Sequence, residues 1–250
     1  SYVYQIGDGH ADHAYMGIPE DMTMNRPTYT VDAGSPGATV VADTAATLAL
    51  ASIVYGEDKP LEHAKSLYEL AVEMYESGGD YDSGYHVGAG NFYKSWNGAA
   101  DELSIAGVWL YEATGDEDYL DDAEEYFDDI YSGMQSKDKN WTITWGDKQF
   151  PAGVKLAELT GDDKYHDFIE GNLSAWTDKS TIQWTSGGLA WLSEWSSCRY
   201  SANAAWLATV YAKVTNKQNL KDKYRNFAVS QINYLLGDNP NGQSYMIGFG

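Results

Sequence analysis

The sequence has 250 residues with 37 acidic and 16 basic side chains, which gives a net charge of −21. A charge of this sign and size argues against nucleic acid and anionic membrane surfaces as partners, whereas neutral polysaccharides stay compatible. The 9 tryptophans and 20 tyrosines stand against only 6 phenylalanines, and rings with a hydrogen-bonding group suit carbohydrate more than lipid. Cys198 is the single cysteine, so no intrachain disulfide is possible.

The start of the sequence is not predicted to be a signal peptide, and no membrane span is predicted within it. No run of about 18 apolar residues is present, so the pattern predicts no membrane span. The opening residues SYVYQIGDGH lack the basic and apolar regions of a signal peptide. Both ends look cut within continuing structure, and we therefore expect an internal segment of a longer domain.

The first forty residues are crowded with Gly, Pro, Asp and His and show no sustained period, which predicts mostly loop. A loop of this length in a compact domain is usually functional. Three interpretations stay open: a metal site, although the spacing matches no closed zinc pattern, a histidine that contacts substrate, and hydrogen bonding within the loop. The residues concerned are Asp8, His10, Asp12 and His13.

After this loop the sequence repeats a unit of helix, short polar turn and helix. The first helix of each unit is rich in alanine and the second is amphipathic, so we expect buried inner helices to alternate with half-exposed outer helices. The predicted helices cover residues 41–55, 60–77, 101–113, 118–134, 151–159, 163–176, 201–214 and 220–236.

Helical hairpins of this kind can stack as an open superhelix or close into a ring. The long aromatic loops always precede an inner helix, so in a ring they would gather on one face. We therefore predict an all-α fold of the (α/α)6 barrel type, with about four of its hairpins in this sequence. The open superhelix is the alternative.

Three aromatic residues, Phe92, Tyr93 and Trp96, follow a glycine-rich stretch and precede the third predicted helix. No regular element is predicted to force them into a core. Flat rings on such loops stack on the C–H faces of pyranose rings, which indicates a sugar-binding surface. Packing in the core is the alternative.

Two adjacent acids, Asp101 and Glu102, open that helix, and Asn97 is a candidate N-cap. Negative charge in a first turn suits the helix dipole. Together with Asn97 and backbone oxygens, the same acids could ligate a hard cation such as calcium. Both interpretations stay open.

The later loops carry further aromatic residues. Trp141 precedes the inner helix predicted at 151–159, and Trp195, Arg199 and Tyr200 precede the next inner helix. Arg199 is placed either to hydrogen-bond sugar hydroxyls, to keep a carboxylate ionised, or to form an ordinary ion pair. Two other tryptophans are predicted to pack in the core because their neighbours are apolar: Trp145 and Trp206.

Several segments together resemble glycoside hydrolase family 9 across the whole sequence. The family consists largely of cellulases, mainly endo-acting β-1,4-glucanases, which work with inversion on an (α/α)6 barrel. The resemblance therefore implies that residues 1–250 are part of a single catalytic domain of a secreted enzyme. The segments are IGDGHADHAYMGIPED, RPTYTVDAGSPGA, FYKSWNGAADEL, WLYEATGD, WTITWGDK, CRYSANAAWLATVYA and INYLLGDNPNGQSYMIGFG.

The resemblance also implies which residues contact sugar. His13 is similar to a histidine near the cleavage point, because it lies in the ADH motif. The remaining residues match the aromatic cluster of the FYxSW motif, a stacking tryptophan and a further subsite trio. They are Phe92, Tyr93, Trp96, Trp141, Trp195, Arg199 and Tyr200.

Many bacterial members bind calcium through a Ser-Gly-x-x-Asp-Glu pattern and an aspartate after the second tryptophan of a WTIxWDD loop. This sequence has Asn97 in place of the serine and Gly146 in place of that aspartate, while Asp147 next to it is a possible substitute. The resemblance thus implies a candidate structural calcium site formed by Asn97, Gly98, Asp101, Glu102 and Asp147.

The family's catalytic residues are expected outside this sequence. Its base aspartates lie in a motif upstream of residue 1, and its acid glutamate lies downstream of the terminal GFG; neither motif is present here. Neighbouring acids within the sequence are poor substitutes, because they seldom lie across a sugar ring from each other. The pairs considered are Asp8 with Asp12, Asp80 with Asp82, and Asp101 with Glu102.

Two hypotheses of different class follow. In the first, the sequence supplies much of the substrate cleft of an inverting endo-β-1,4-glucanase whose other segments complete the site. In the second, a truncated form binds β-glucan by aromatic stacking without cutting it. The upstream aspartates and the downstream glutamate of the parent molecule distinguish the two.

Overall fold

The structure, a computed structural model, describes residues 1–78, 90–133 and 140–249. Two features predicted from the sequence lie outside these ranges: the candidate acid pair Asp80 and Asp82, and most of the glycine-rich stretch before Phe92. The chain divides into two compact units. Unit 1 comprises Ser1–Ile130 and Trp145–Gln149, and unit 2 comprises Tyr131–Thr144 and Phe150–Gly250.

Unit 1 contains two of the predicted helical hairpins, Ala38–Tyr55 with Asp58–Gly78 and Ala100–Thr114 with Glu117–Gly133. Its N-terminal segment pairs two antiparallel strands, β1 (Tyr2–Ile6) and β2 (Thr28–Val31). A 3-10 turn covers Pro19–Asp21. The helices that lie wholly or mostly in this unit are α1 Gly9–Ala14, α2 Ala38–Tyr55, α3 Asp58–Gly78, α4 Gly90–Tyr93, α5 Ala100–Thr114 and α6 Glu117–Gly133.

Helix α2 is the central inner helix of unit 1 and packs against both α3 and α5. Its buried face consists mainly of small residues, including Ala42, Ala45 and Ala49. Small side chains let neighbouring helices approach closely. In length and composition α2 would suffice to cross a membrane. This result differs from the prediction, made from the sequence, that the chain has no membrane span. The contacts of α2 with α3 and α5 identify α2 as a core helix.

The hairpin of α5 and α6 is closely packed at its crossing. An ideal Cβ on Gly107 would lie 2.7 Å from the backbone oxygen of Tyr119 and 3.1 Å from Cβ of Ala123. Ser104, in the preceding turn of α5, donates a hydrogen bond from its hydroxyl to the Ala123 carbonyl at 2.8 Å. Only a glycine at position 107 allows this approach.

Unit 2 contains the other two hairpins found among the described residues. Its largest fully buried side chains include Trp176, Tyr165 and Tyr211. Phe150 and Phe168 stack with their ring centroids 5.6 Å apart and join the first hairpin. The elements are α7 Gln149–Thr160, whose first residue belongs to unit 1, α8 Asp163–Thr177, β3 Gln183–Trp184, β4 Ala190–Trp191, α9 Ser197–Val214 and α10 Gln218–Leu235.

The repeated turns have a common geometry at three of the four hairpins. Gly56, Gly115 and Gly161 have φ of +68°, +72° and +69°, a left-handed conformation that glycine adopts without steric cost. Each donates its backbone N–H to the carbonyl four residues before it, which closes the end of the inner helix. The fourth inner helix instead ends at Thr215 in an extended conformation.

The described helices confirm the predicted hairpins, but some local predictions were wrong. The N-terminal segment is not mostly loop, since β1 pairs with β2 over a sequence distance that periodicity does not reveal. Phe92 and Tyr93 lie in the short helix α4 rather than in a loop. The N-cap of α5 is Ala99 and not Asn97, because the helix begins at Ala100.

The predicted burial of two tryptophans was also wrong. Trp145 is 42% exposed because it lies in a turn formed by residues 144–147, where apolar neighbours in sequence do not enclose its ring. Trp206 is 45% exposed because it lies on the opposite side of α9 from the buried Ala204, Ala205 and Ala208. Apolar neighbours in sequence therefore did not place either ring in the core.

Candidate functional site

In unit 1, the predicted sugar-contacting histidine lies against the predicted aromatic cluster. The imidazole of His13 stacks on Phe92 with centroids 3.9 Å apart and planes 7° from parallel. Nδ1 of His13 lies 2.6 Å from the carbonyl oxygen of Gly9. Because a carbonyl only accepts, Nδ1 is the donor in this contact, and Nε2 is the ring nitrogen left to contact a ligand hydroxyl.

Two further rings of this cluster are exposed. Trp96 is 78% exposed and Tyr93 is 49% exposed, so these rings offer surface to a ligand. The ammonium of Lys94 lies 5.3 Å from the Trp96 ring centroid, and Trp145 meets Tyr93 edge-on at 6.0 Å. Exposure of large rings on one segment favours the sugar-binding interpretation over core packing.

In unit 2, Trp141 is held in place by hydrogen bonds to its backbone carbonyl. Its carbonyl oxygen accepts hydrogen bonds from Nδ2 of Asn172 at 3.0 Å and Nε1 of Trp176 at 3.2 Å, both from α8. Asn203 on α9 donates to the carbonyl of Ile143 at 2.7 Å. The segment carrying Trp141 is thus fixed at two points, while its ring stays 36% exposed.

The second predicted group in unit 2 combines exposed and buried side chains. Trp195 is 74% exposed and directly precedes Ser196, whose φ of +56° turns the chain into α9. The Arg199 guanidinium lies 4.5 Å from the centroid of the Tyr200 ring. Tyr200 itself is only 6% exposed and meets Trp141 edge-on at 5.5 Å. Tyr200 therefore supports Trp141 and Arg199 more than it offers surface of its own.

Three acids of unit 1, Asp101, Glu102 and Asp147, form what we call the acid cluster. Asp101 and Glu102 are fully buried and Asp147 is 3% exposed. Burial raises the pKa of all three, and the charge of Asp101 raises the pKa of Glu102 and of Asp147 further. As carboxylates, one oxygen of Asp101, one of Asp147 and both of Glu102 are buried and accept no hydrogen bond from a neighbouring donor. Asp101 and Glu102 lie close enough to share a proton when one of them is protonated.

Such oxygens are what a cation would satisfy, while two other oxygens of the predicted calcium ligands already accept hydrogen bonds. Calcium takes six to eight oxygens. The Gly98 carbonyl accepts from Ser95 Oγ at 2.7 Å, and Asp147 Oδ2 accepts from Gln149 Nε2 at 3.0 Å. Within the described part of the chain, no three acidic, His or Cys side chains converge as a metal-binding group. The calcium site stays a prediction.

The two candidate acids of the N-terminal segment each have a partner within the fold. Asp8 caps α1 by accepting from the Ala11 N–H at 2.9 Å, and this hydrogen bond lowers the Asp8 pKa. Asp12 forms an ion pair with Arg26 at 2.7 Å. The loop hydrogen-bonding interpretation thus accounts for both acids, whereas His13 has the geometry of a ligand-contacting residue.

Comparison with known proteins decides the family. The model of glycosyl hydrolase family 9 matches residues 1–250, that is, the whole sequence. The chain belongs to glycosyl hydrolase family 9. Endoglucanase A of Bacillus pumilus is 42% identical over 98% of this chain and 38% of its own length, and endoglucanase B of Cellulomonas fimi is 41% identical over 98% and 24%. The chain therefore spans well under half of the length of these two relatives.

Solved structures of the family show the same fold. The endoglucanase CelQ from Clostridium thermocellum in complex with cellotriose matches with a TM-score of 0.90 and 42% identity, over 99% of this chain and 41% of that chain. The cellulase Cel9M of C. cellulolyticum matches with a TM-score of 0.84 and 38% identity, over 100% and 56%. The mostly helical fold matches the (α/α)6 barrel of family 9 over part of its length.

Sequence reasoning missed the residues that support the site. Asn172, Trp176 and Asn203 fix the backbone of the Trp141 segment, although all three lie within helices whose pattern predicts only packing. Lys148 and Asp43 lie beside the acid cluster and were not singled out. In the sequence, the position of Lys148 directly after Asp147 was the one feature that linked it to the acid cluster. Its partner Asp43 lies far away along the chain, so no sequence pattern indicated that contact.

Proposed function

We propose that the protein carrying this chain hydrolyses β-1,4-glucosidic bonds in cellulose or a related β-glucan, and that this chain supplies much of the substrate-binding wall. The observation that carries the proposal is the exposure of large rings at the predicted sugar-contacting positions, above all Trp96 at 78% and Trp195 at 74%. The complexes of CelQ with cellotriose and cellotetraose support a cello-oligosaccharide as the ligand.

In this mechanism the chain binds and orients glucan. The faces of Trp96, Trp141 and Trp195 stack on glucose rings, and Nε2 of His13 accepts a hydrogen bond from a sugar hydroxyl. Bond cleavage with inversion requires a carboxylic acid at the leaving oxygen and a carboxylate that activates water, roughly 6.5 to 9.5 Å apart. We assign both groups to the remaining segments of the catalytic domain. Because cellulose lies outside cells, we also propose that the protein is secreted.

Binding without cleavage is the second candidate for this chain by itself. The neighbouring acids of the described residues are already engaged: Asp8 as a helix cap, Asp12 with Arg26, and Asp101 with Glu102 in a buried cluster. None of these acids is placed as an exposed pair across a sugar ring. In this proposal, hydrolysis depends on the rest of the domain, whereas stacking does not.

Stacking on Trp96 predicts a defined loss of affinity. We expect Trp96→Ala to weaken cellotetraose binding by about 1 to 3 kcal/mol, the range of base stacking on aromatic rings, or roughly 5- to 150-fold in Kd. Isothermal titration calorimetry checks this. Trp206→Ala is the matched control, because Trp206 is an exposed tryptophan on a helix outside the predicted sites. Equal affinities of both variants and wild type would remove Trp96 from the binding surface.

A further inference from the structure

The acid cluster is buried, where uncompensated negative charge is unfavourable. Asp101, Glu102 and Asp147 lie in unit 1 with 0%, 0% and 3% exposure, and as carboxylates four of their oxygens accept no hydrogen bond from a neighbouring donor. Burying carboxylates in this way is costly unless they are neutralised or paired. The cost falls if the acids are protonated or if a positive charge lies beside them.

The ammonium of Lys148 lies at this position. Its Nζ is 3.9 Å from Oε1 of Glu102 and 3.4 Å from Oδ1 of Asp43 on α2, and it donates to the Trp145 carbonyl at 2.9 Å. The ammonium thus makes one hydrogen bond, to the Trp145 carbonyl, and lies at ion-pair distance from the two carboxylates. The Lys148 side chain is only 16% exposed, so water screens its charge weakly.

The backbone of Lys148 contacts the cluster as well. Its N–H donates to Oδ2 of Asp101. One residue thus joins the inner helices α2 and α5 to the segment that carries Trp145, through its backbone and its side chain together. Asp43 is 45% exposed, which leaves the Lys148–Glu102 contact as the buried part of the network.

A divalent cation would compete with this arrangement. It would have to approach Glu102 against the positive charge of Lys148, and like charges repel each other where water screens them weakly. Position 146, directly beside the cluster, is a glycine and adds no carboxylate. The oxygens of Gly98 and Asp147 that accept hydrogen bonds are partly occupied already.

We propose that Lys148 supplies the counter-charge of the acid cluster in this chain, in place of the calcium ion that the resemblance to the family implies. The role is structural: Lys148 holds α2, α5 and the Trp145 segment together and makes the stability of unit 1 independent of calcium. It does not touch the substrate.

The first arm of the test removes the ammonium. In the purified protein that carries this chain, we expect Lys148→Met to lower the melting temperature by about 3 to 10 °C, because it leaves buried acids without their cation. Lys155→Met is the matched control. Lys155 forms an ion pair with Glu158 at 2.6 Å within one helix, and the Glu158 side chain is exposed rather than buried. Equal shifts for the two variants would overturn the proposal.

The second arm tests calcium directly. We expect neither calcium nor EDTA to change the contribution of the acid cluster to the melting temperature. Wild type and Glu102→Gln should therefore show the same change of melting temperature when calcium is added. Tryptophan-sensitised terbium luminescence gives an independent readout, because Trp145 lies next to the cluster. A calcium-dependent rise in melting temperature or a terbium signal in wild type that disappears in Glu102→Gln would overturn the proposal.

Discussion

We expect Trp176→Ala to lower the free energy of unfolding by about 3 to 5 kcal/mol, the largest effect of any single substitution considered. Trp176 is fully buried in unit 2 and is the largest of its buried side chains. Its removal leaves a cavity and also takes away the N–H that binds the Trp141 carbonyl at 3.2 Å. Urea unfolding followed by circular dichroism measures the loss.

Two further variants separate packing from hydrogen bonding. Trp176→Phe keeps an aromatic ring but lacks the donor, so we expect a smaller loss of about 1 to 3 kcal/mol, together with weaker cellotetraose binding as the Trp141 segment loosens. Trp206→Ala removes an exposed ring and should change stability by less than about 1 kcal/mol. If Trp176→Ala were no more destabilising than Trp206→Ala, the described packing of unit 2 would be incorrect.

Opposite effects are expected from alanine at two helical glycines. Gly107→Ala should destabilise by about 1 to 3 kcal/mol, because its Cβ would lie 2.7 Å from the backbone oxygen of Tyr119, which cannot move aside easily. Gly171→Ala should stabilise by about 0.5 to 1 kcal/mol, since a Cβ there meets nothing within 4 Å and alanine is the better helix former.

The two glycine variants control for each other, since they are the same substitution in helices. Chemical unfolding of both proteins against wild type gives the sign of each effect. A destabilised Gly171→Ala together with an unaffected Gly107→Ala would contradict the close approach of α5 and α6.

The helical hairpins were predictable because they rest on local patterns. Alanine-rich and amphipathic helices alternate along the chain, and the Thr-Gly-Asp turns end α5 and α7 with glycines in the left-handed conformation. The pairing of β1 with β2 was not predictable in this way. It joins residues that lie far apart in sequence and depends on contacts that no periodicity records.

The residues of the candidate site stay a prediction from the family resemblance, and the structure adds the burial and contacts of their side chains. The family resemblance indicated Trp96 and Trp195, whose exposure agrees with that role, but it gave no sign that Tyr200 is buried beneath Trp141. Trp145 and Trp206 were placed in the core from apolar neighbours alone. Helix phase and a tight turn decided their exposure, and these depend on three-dimensional packing.

The stereochemistry of cleavage tests the central claim most directly. Cellopentaose is incubated with the purified protein that carries this chain, and proton NMR follows the anomeric configuration of the new reducing ends before they equilibrate. An inverting β-1,4-glucanase produces the α-anomer first. Initial release of the β-anomer, or cellotetraose binding with no cleavage at all, would contradict the account of this chain as the wall of an inverting glucanase cleft.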